Sequence, residues 1–331
     1  MPFPRPPHIL VTGGAGYIGS HTAKVLLHRG YDVTVVDDLS RGYRHNVAPE
    51  RLYVMSTADT AGLERLMGER QVTAVIHFAA HSMVGESIVK PELYFENNVC
   101  GSLSLFTAMT RAGVRRLVFS STAAVYGIPA SSPITEDSPH LPINPYGESK
   151  LMVEKMLRWF DSIHNLRSIC LRYFNAAGAD PDGELGEEHE PETHLIALML
   201  RAVKTGKPVT LFGDDYPTPD GTCVRDYVHV MDLAEAHIAA LESLSGGGPS
   251  DHFNVGTGAG HSLLDVVRAV EEITDEKVPY VIGPRRAGDP PALVADSSKL
   301  QRTLGWKPRY ASLCDVVATA WEFEKARIGV K

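Results

Sequence analysis

The chain has 331 residues, 44% of them hydrophobic and 22% charged, with a net charge of −8. That is ample for a buried core in one large domain or two closely joined ones. The acidic balance argues against a nucleic-acid binder, no run of 18 apolar residues offers a membrane span, and four scattered cysteines (Cys100, Cys170, Cys223, Cys314) fit a reduced, cytoplasmic protein.

The Pro-rich start, residues 1–7, lacks an apolar core and is expected as a loose tail rather than a signal peptide. Apolar runs at 8–11 and 33–37 predict two strands with a helix over 17–29 between them. Runs at 52–55, 74–79, 116–121 and 168–174 continue the series, with helices expected over 61–70, 91–112 and 145–163. Continuous apolar runs suit parallel strands covered on both faces, so the alternation predicts an α/β fold with a doubly wound parallel sheet of the Rossmann kind. Beyond residue 175, Gly, Pro and acidic residues dominate to 193. A helix is expected over 195–204 and another over 232–244. Runs at 225–230 and 252–256 read as strands returning to the sheet, so the region 176–331 is not expected to be one contiguous domain.

The first run ends in Thr12-Gly13-Gly14-Ala15-Gly16-Tyr17-Ile18-Gly19. Gly13, Gly16 and Gly19 form the G-x-x-G-x-x-G version of the dinucleotide fingerprint, between a strand and a helix. Glycine allows the turn and removes the Cβ that would block a pyrophosphate, while the helix N-terminus offers unpaired N–H groups. Asp37, about 20 residues on at the end of the second strand, is placed to accept from ribose hydroxyls. A carboxylate there repels a 2′-phosphate, which favours NAD over NADP. Residues 1–175 are therefore expected to be an NAD-binding domain. Tyr146 and Lys150, four apart on a predicted helix, share a face. An ammonium beside a phenol favours phenolate, so the pair is a candidate base. His189 and His194 do not have the His-Glu-x-x-His spacing, and Pro191 interrupts any helix between them, so no metal site is expected.

The glycine loop, the Ser/Thr run before Thr122 and the Tyr-x-x-x-Lys helix together resemble the extended short-chain dehydrogenase/reductases. Longer stretches narrow this: residues 12–21 (TGGAGYIGSH), 84–87 (VGES), 120–127 (SSTAAVYG), 172–175 (RYFN), 215–230 (DYPTPDGTCVRDYVHV) and 285–289 (RRAGD). Nearly end to end, the chain is similar to the UDP-glucose 4-epimerase family. That resemblance implies a smaller α/β substrate-binding domain over most of 176–331, with segments near 225–256 in the main sheet. It also implies tightly held NAD, a UDP-sugar substrate and a homodimer. Tyr146 would take the proton of the sugar 4-hydroxyl while C4 is oxidised. The 4-keto sugar would then turn over, and hydride would return to its other face. Thr122 would hydrogen-bond the reacting hydroxyl, and Lys150 would bind the nicotinamide ribose and lower the pKa of Tyr146.

Along the cofactor the resemblance places Tyr17 and Ile18 after the phosphate loop, Asp37 and Asp38 beside adenosine, and Thr57 and Ala58 at adenine. Phe78, Ala79, Ala80 and Asn97 follow, with Phe174 beside nicotinamide. For the substrate it places Asn175 at the diphosphate, and His194 and Leu195 at the nucleotide. Thr210, Leu211 and Phe212 would bracket uracil, Arg225 and Arg286 would grip phosphate oxygens, and Asp289 would accept from a ribose hydroxyl. Departures from the family pattern are Ser82 in place of a Lys, Thr57 in place of an Asp, Cys223 in place of a Gly, and Leu293 in place of a Tyr beside the sugar. The smaller Leu293 is expected to leave room for a 2-acetamido group, so UDP-GlcNAc and UDP-GalNAc are expected substrates too. Ala123-Ala124 after Thr122 provides no acid or base for a dehydratase. The alternatives are 4-epimerisation of UDP-glucuronate or UDP-xylose and, in a different class, a non-catalytic NAD sensor.

Overall fold

The computed structural model describes residues 6–286 and 288–327. The expected N-terminal tail lies, apart from Pro6 and Pro7, outside the described residues. Six strands appear up to residue 173: β1 (His8–Thr12), β2 (Asp32–Asp37), β3 (Leu52–Val54), β4 (Ala74–His77), β5 (Arg116–Thr122) and β6 (Arg167–Tyr173). Then come β7 (Asn175–Ala177), β8 (Val209–Phe212), β9 (Val224–His229), β10 (Asp251–Val255), β11 (Gly260–Ser262), β12 (Tyr280–Gly283) and β13 (Ala292–Leu293).

Seven strands form one parallel sheet in the order β10-β6-β5-β4-β1-β2-β3. Strands β1 and β4 are fully buried, as strands between two helical layers must be. One face packs Val11, Leu26, Ile76, Leu233 and Leu241. The other packs Leu10, Leu66, Phe106, Phe119 and Leu157. The winding reverses between β1 and β4, and a crevice opens at the carboxyl ends of the strands there.

Of the two segments expected to rejoin this sheet, Asp251–Val255 lies in it beside β6, and Val224–His229 does not. Strand β9 instead pairs with β7, β11 and β13 in a separate four-stranded sheet. The reason is local. Asp226, fully buried on β9, accepts from the backbone N–H of Thr257 (2.9 Å), Gly258 (3.0 Å) and Ala295 (3.1 Å), so its neighbours are fixed by that carboxylate. A second core of Ile196, Met199, Val266, Val270 and Val316 lies in this half of the chain.

The helix Pro145–His164 starts with strong signals. The Asn144 side chain accepts from Gly147 N at 2.8 Å, Pro145 stands at the first turn, and Asn165 ends the helix in the left-handed conformation. The region 91–112 is less regular than expected. Helical turns at Pro91–Tyr94 and Gly101–Ala112 are joined by a π-helical turn, Phe95–Cys100. Among the described residues no helix is long and apolar enough to cross a membrane.

Candidate functional site

The crevice at the sheet's carboxyl edge is a cleft of ≈ 1440 Å³. It runs from the glycine loop after β1, past the end of β5, to the smaller sheets. Its dinucleotide end is shaped by absent side chains. Gly13 has φ +71°, and a Cβ there would collide with the Ala79 backbone nitrogen. A Cβ on Gly19 would strike the Gly13 carbonyl, so the first turn of the helix Tyr17–His28 could not close on the loop. These gaps form a cradle that a flat, polyanionic dinucleotide fits, with the N-terminus of the helix Tyr17–His28 beneath it. Asp37 lines the cleft, is buried and accepts from Ala15 N (3.0 Å) and Leu39 N (2.9 Å), which holds both carboxylate oxygens in place. Burial raises its pKa, against those two bonds.

Gly16, Tyr17, Ile18, Asp38, Thr57, Phe78, Ala79, Ala80, Asn97 and Phe174 also line this part of the cleft. Ala58 does not. It is exposed, with its N–H turned to Ser56 Oγ (3.2 Å), so the turn after β3 presents Met55 and Thr57 but not Ala58. The next pair, Asn97 and Asn98, lies on the π-helical turn and faces two ways. Asn97 faces the cleft, while Asn98, 1% exposed, accepts from His81 N (2.8 Å) and donates to His81 O (3.0 Å) and Ser149 Oγ (3.1 Å). Asn98 therefore fixes the segment after Ala80 and ties it to the helix that carries Tyr146.

At the centre, Thr122, Tyr146 and Lys150 line the cleft together. Burial raises the Tyr146 pKa, and contact with the Thr122 hydroxyl works the other way. Lys150 donates to the Ser120 carbonyl at 2.8 Å and stands over the Phe119 ring. Burial lowers its pKa to about 7, against the nearby Glu154 carboxylate. The expected depression of the Tyr146 pKa by Lys150 is thus not found in the polypeptide itself. Behind them, Glu154 accepts from Arg172 Nε (2.9 Å) and Ser121 Oγ (2.6 Å), a buried pair that anchors helix to strand.

The far end is basic and aromatic. Arg225 pairs with Asp289 and donates to Val224 O (2.7 Å), and Arg286 lies over the Phe212 ring at 4.1 Å. Asn175 donates to Asp226 O at 3.0 Å. Thr210, Leu211, His194, Leu195 and Leu293 complete this wall. Arg41 and Glu86, not among the expected site residues, also line the cleft, and Arg41 Nη2 donates to both Glu86 carboxylate oxygens at 2.9 and 2.8 Å. The available signals were the Ser40-Arg41-Gly42 segment just beyond Asp37-Asp38-Leu39, and Glu86 inside the stretch 84–87.

The model of the NAD dependent epimerase/dehydratase family matches residues 9–256 of the chain. The chain belongs to that family. The cofactor of this epimerase/dehydratase is accordingly NAD. Among curated relatives, the UDP-glucose 4-epimerase of Lactobacillus helveticus is 50% identical over 320 residues, 96% of this chain and 97% of that one. The structure is similar to the UDP-glucose 4-epimerase from Brucella ovis in complex with NAD, at 45% identity and TM-score 0.93, covering 95% and 97% of the two chains. It is also similar to the enzyme from Bifidobacterium longum in complex with NAD+ and UDP, at 39% identity and TM-score 0.90, covering 96% and 98%.

Proposed function

We propose that this enzyme interconverts UDP-glucose and UDP-galactose by oxidising the sugar at C4 and reducing it again on the other face. One observation carries the reading. A single cleft joins a dinucleotide cradle, the Thr122–Tyr146–Lys150 group and a basic, aromatic end suited to a nucleoside diphosphate. Bound NAD supplies the hydride acceptor and, when oxidised, a positive charge. The residues do the rest. Tyr146 removes the proton from the 4-hydroxyl at its phenolic oxygen. Since burial alone raises its pKa, it needs neighbouring positive charge to act as a base near neutral pH. Thr122 aligns the same hydroxyl, and Lys150 is the donor toward the cofactor ribose. Arg225 and Arg286 hold the diphosphate and Asp289 a uridine hydroxyl, while Phe212 and Leu195 flank the base.

The chain divides for this purpose into an NAD-binding part, 1–175, and a mainly substrate-binding part, 176–331, with β10 lent to the sheet of the first. It works as a homodimer in the cytoplasm, which its four free cysteines suit. Leu293, partly buried on the wall at the sugar end, leaves space for 2-acetamido sugars.

The test is NMR of the purified protein with UDP-galactose, UDP-GalNAc, UDP-glucuronate and UDP-xylose in separate tubes, with no NAD added. Conversion of UDP-galactose to UDP-glucose is expected, with UDP-GalNAc also turned over. Turnover of the uronate or pentose alone would replace the proposed substrate. No turnover at all, with NAD bound, would make the protein a sensor.

A further inference from the structure

Four side chains meet in the segment before the helix Leu195–Thr205. They are Glu187, His189, Glu192 and His194, each offering an atom within 4.8 Å of all the others. The segment is not helical there, so the wrong spacing for a helical motif does not matter; a loop has brought them together. His189 Nδ1 lies 3.3 Å from Glu187 Oε1, and both His189 Nδ1 and His194 Nδ1 lie 3.7 Å from Glu192 Oε1. His194 Nδ1 is closer still to Glu187 Oε1.

These contacts are not settled hydrogen bonds. Glu187 Oε1 and His189 Nδ1 are buried, and neither has a partner in hydrogen-bonding geometry. The Glu187 side chain is only 9% exposed and the Glu192 side chain 1%. Two ring nitrogens and two carboxylates thus crowd around one point, with Glu187 Oε1 and His189 Nδ1 left unpartnered. A central cation would relieve this arrangement. Metal–ligand bonds of about 2.0–2.2 Å in a tetrahedron place ligand atoms roughly 3.4 Å apart, close to the three separations of 3.3–3.7 Å, and the tighter His194–Glu187 contact would open on binding. Two imidazoles with two carboxylates select zinc or a similar first-row ion over Mg²⁺ or Ca²⁺, which prefer oxygen alone.

We propose that Glu187, His189 and His194, with Glu192 as the fourth ligand, form a binding site for a divalent transition-metal ion, zinc in the first instance. Glu192 is the most committed already. Its Oε1 accepts from Thr193 N (2.8 Å) and His194 N (2.9 Å), and Arg201 stands 3.4 Å from Oε2. The other three therefore carry most of the affinity. The role is structural, because all four positions are filled by protein and no open one remains for substrate. The ion would pin this strap against Tyr17, whose ring stands edge-on to His189 at 6.2 Å. It would also hold Leu195 at the cleft wall.

The test uses the protein with its NAD retained. After incubation with zinc sulfate and gel filtration, metal is counted by plasma mass spectrometry for the parent, His189→Ala and Glu187→Gln. About one zinc per chain is expected in the parent, with a loss of roughly tenfold or more in both variants. Dipicolinate should lower the melting temperature of the parent and leave His189→Ala unmoved. Retained NAD reports that each variant is folded. A parent that holds under about a tenth of an equivalent, or folded variants that keep the parent's zinc, would overturn the site. No sugar turnover is measured, so this result stands apart from the proposed reaction.

Discussion

Tyr146 and Lys150 share a helix face, yet burial moves both away from their charged forms. Tyr146 is held above its ordinary value and Lys150 is brought to about 7. A site that keeps two weak groups near neutral in the dark of the protein responds sharply to a charge brought in from outside. Tyr146→Phe removes only the hydroxyl, so the ring still packs edge-on to Tyr94 at 6.4 Å. We expect that variant to keep its NAD absorbance and to lose turnover by about 10²-fold or more, the usual worth of a general base. A coupled assay of UDP-galactose conversion decides it, and turnover within a few-fold of the parent would take Tyr146 out of the mechanism. At this scale the sequence was most readable where the requirement is local. Gly19 is needed because of the Gly13 carbonyl a few residues away, and although Gly13 is also needed against Ala79, the local fingerprint spacing already marks both. Ala58 was misplaced because its direction depends on the Ser56 side chain turning the chain after β3.

Among the elements, the π-helical turn Phe95–Cys100 carries the two asparagines that build this part of the wall. It sends Asn97 into the cleft and Asn98 under the segment beside it, although the two are adjacent in sequence. Apolar residues stand on both sides of that turn with no proline break between them, so 91–112 read as one helix. The only hint was the polar Asn97-Asn98 pair within an apolar pattern. Similarly, apolar content identified β9 and β10 as strands, but their partners were set by the buried Asp226 and by pairing with β6. Asn98→Asp replaces the amide that donates to His81 O with an oxygen facing that carbonyl. We expect a loss of about 3 kcal/mol in stability and a lower NAD content per chain. An unchanged melting temperature together with unchanged NAD content would show that the clamp does not matter.

For the whole molecule, the outward face of the helix Pro145–His164 carries Met152, Trp159 and Ile163, which are 38%, 69% and 65% exposed. They are seven and four residues apart, one stripe of a helix surface, and Leu103 on the neighbouring helix is exposed too. An apolar stripe of this kind is where a second copy would seat if the homodimer forms as proposed. Sedimentation velocity should find twice the chain mass for the parent and a single-chain mass for Trp159→Glu with NAD retained. A parent at single-chain mass, or a variant at twice it, would remove the stripe from the interface.

The pairing of β10 with β6 also bears on how the protein is made. On the ribosome, β6 is complete at Tyr173, but the strand that covers its edge ends at Val255. At about 5–20 residues per second the open edge waits roughly 4–16 s for its neighbour. During that interval the nascent chain exposes unpaired backbone beside Ile169 and Leu171, an edge open to a neighbouring nascent chain. Translation speed through 174–250, rather than the stability of the finished enzyme, would then govern how much of it reaches the native state.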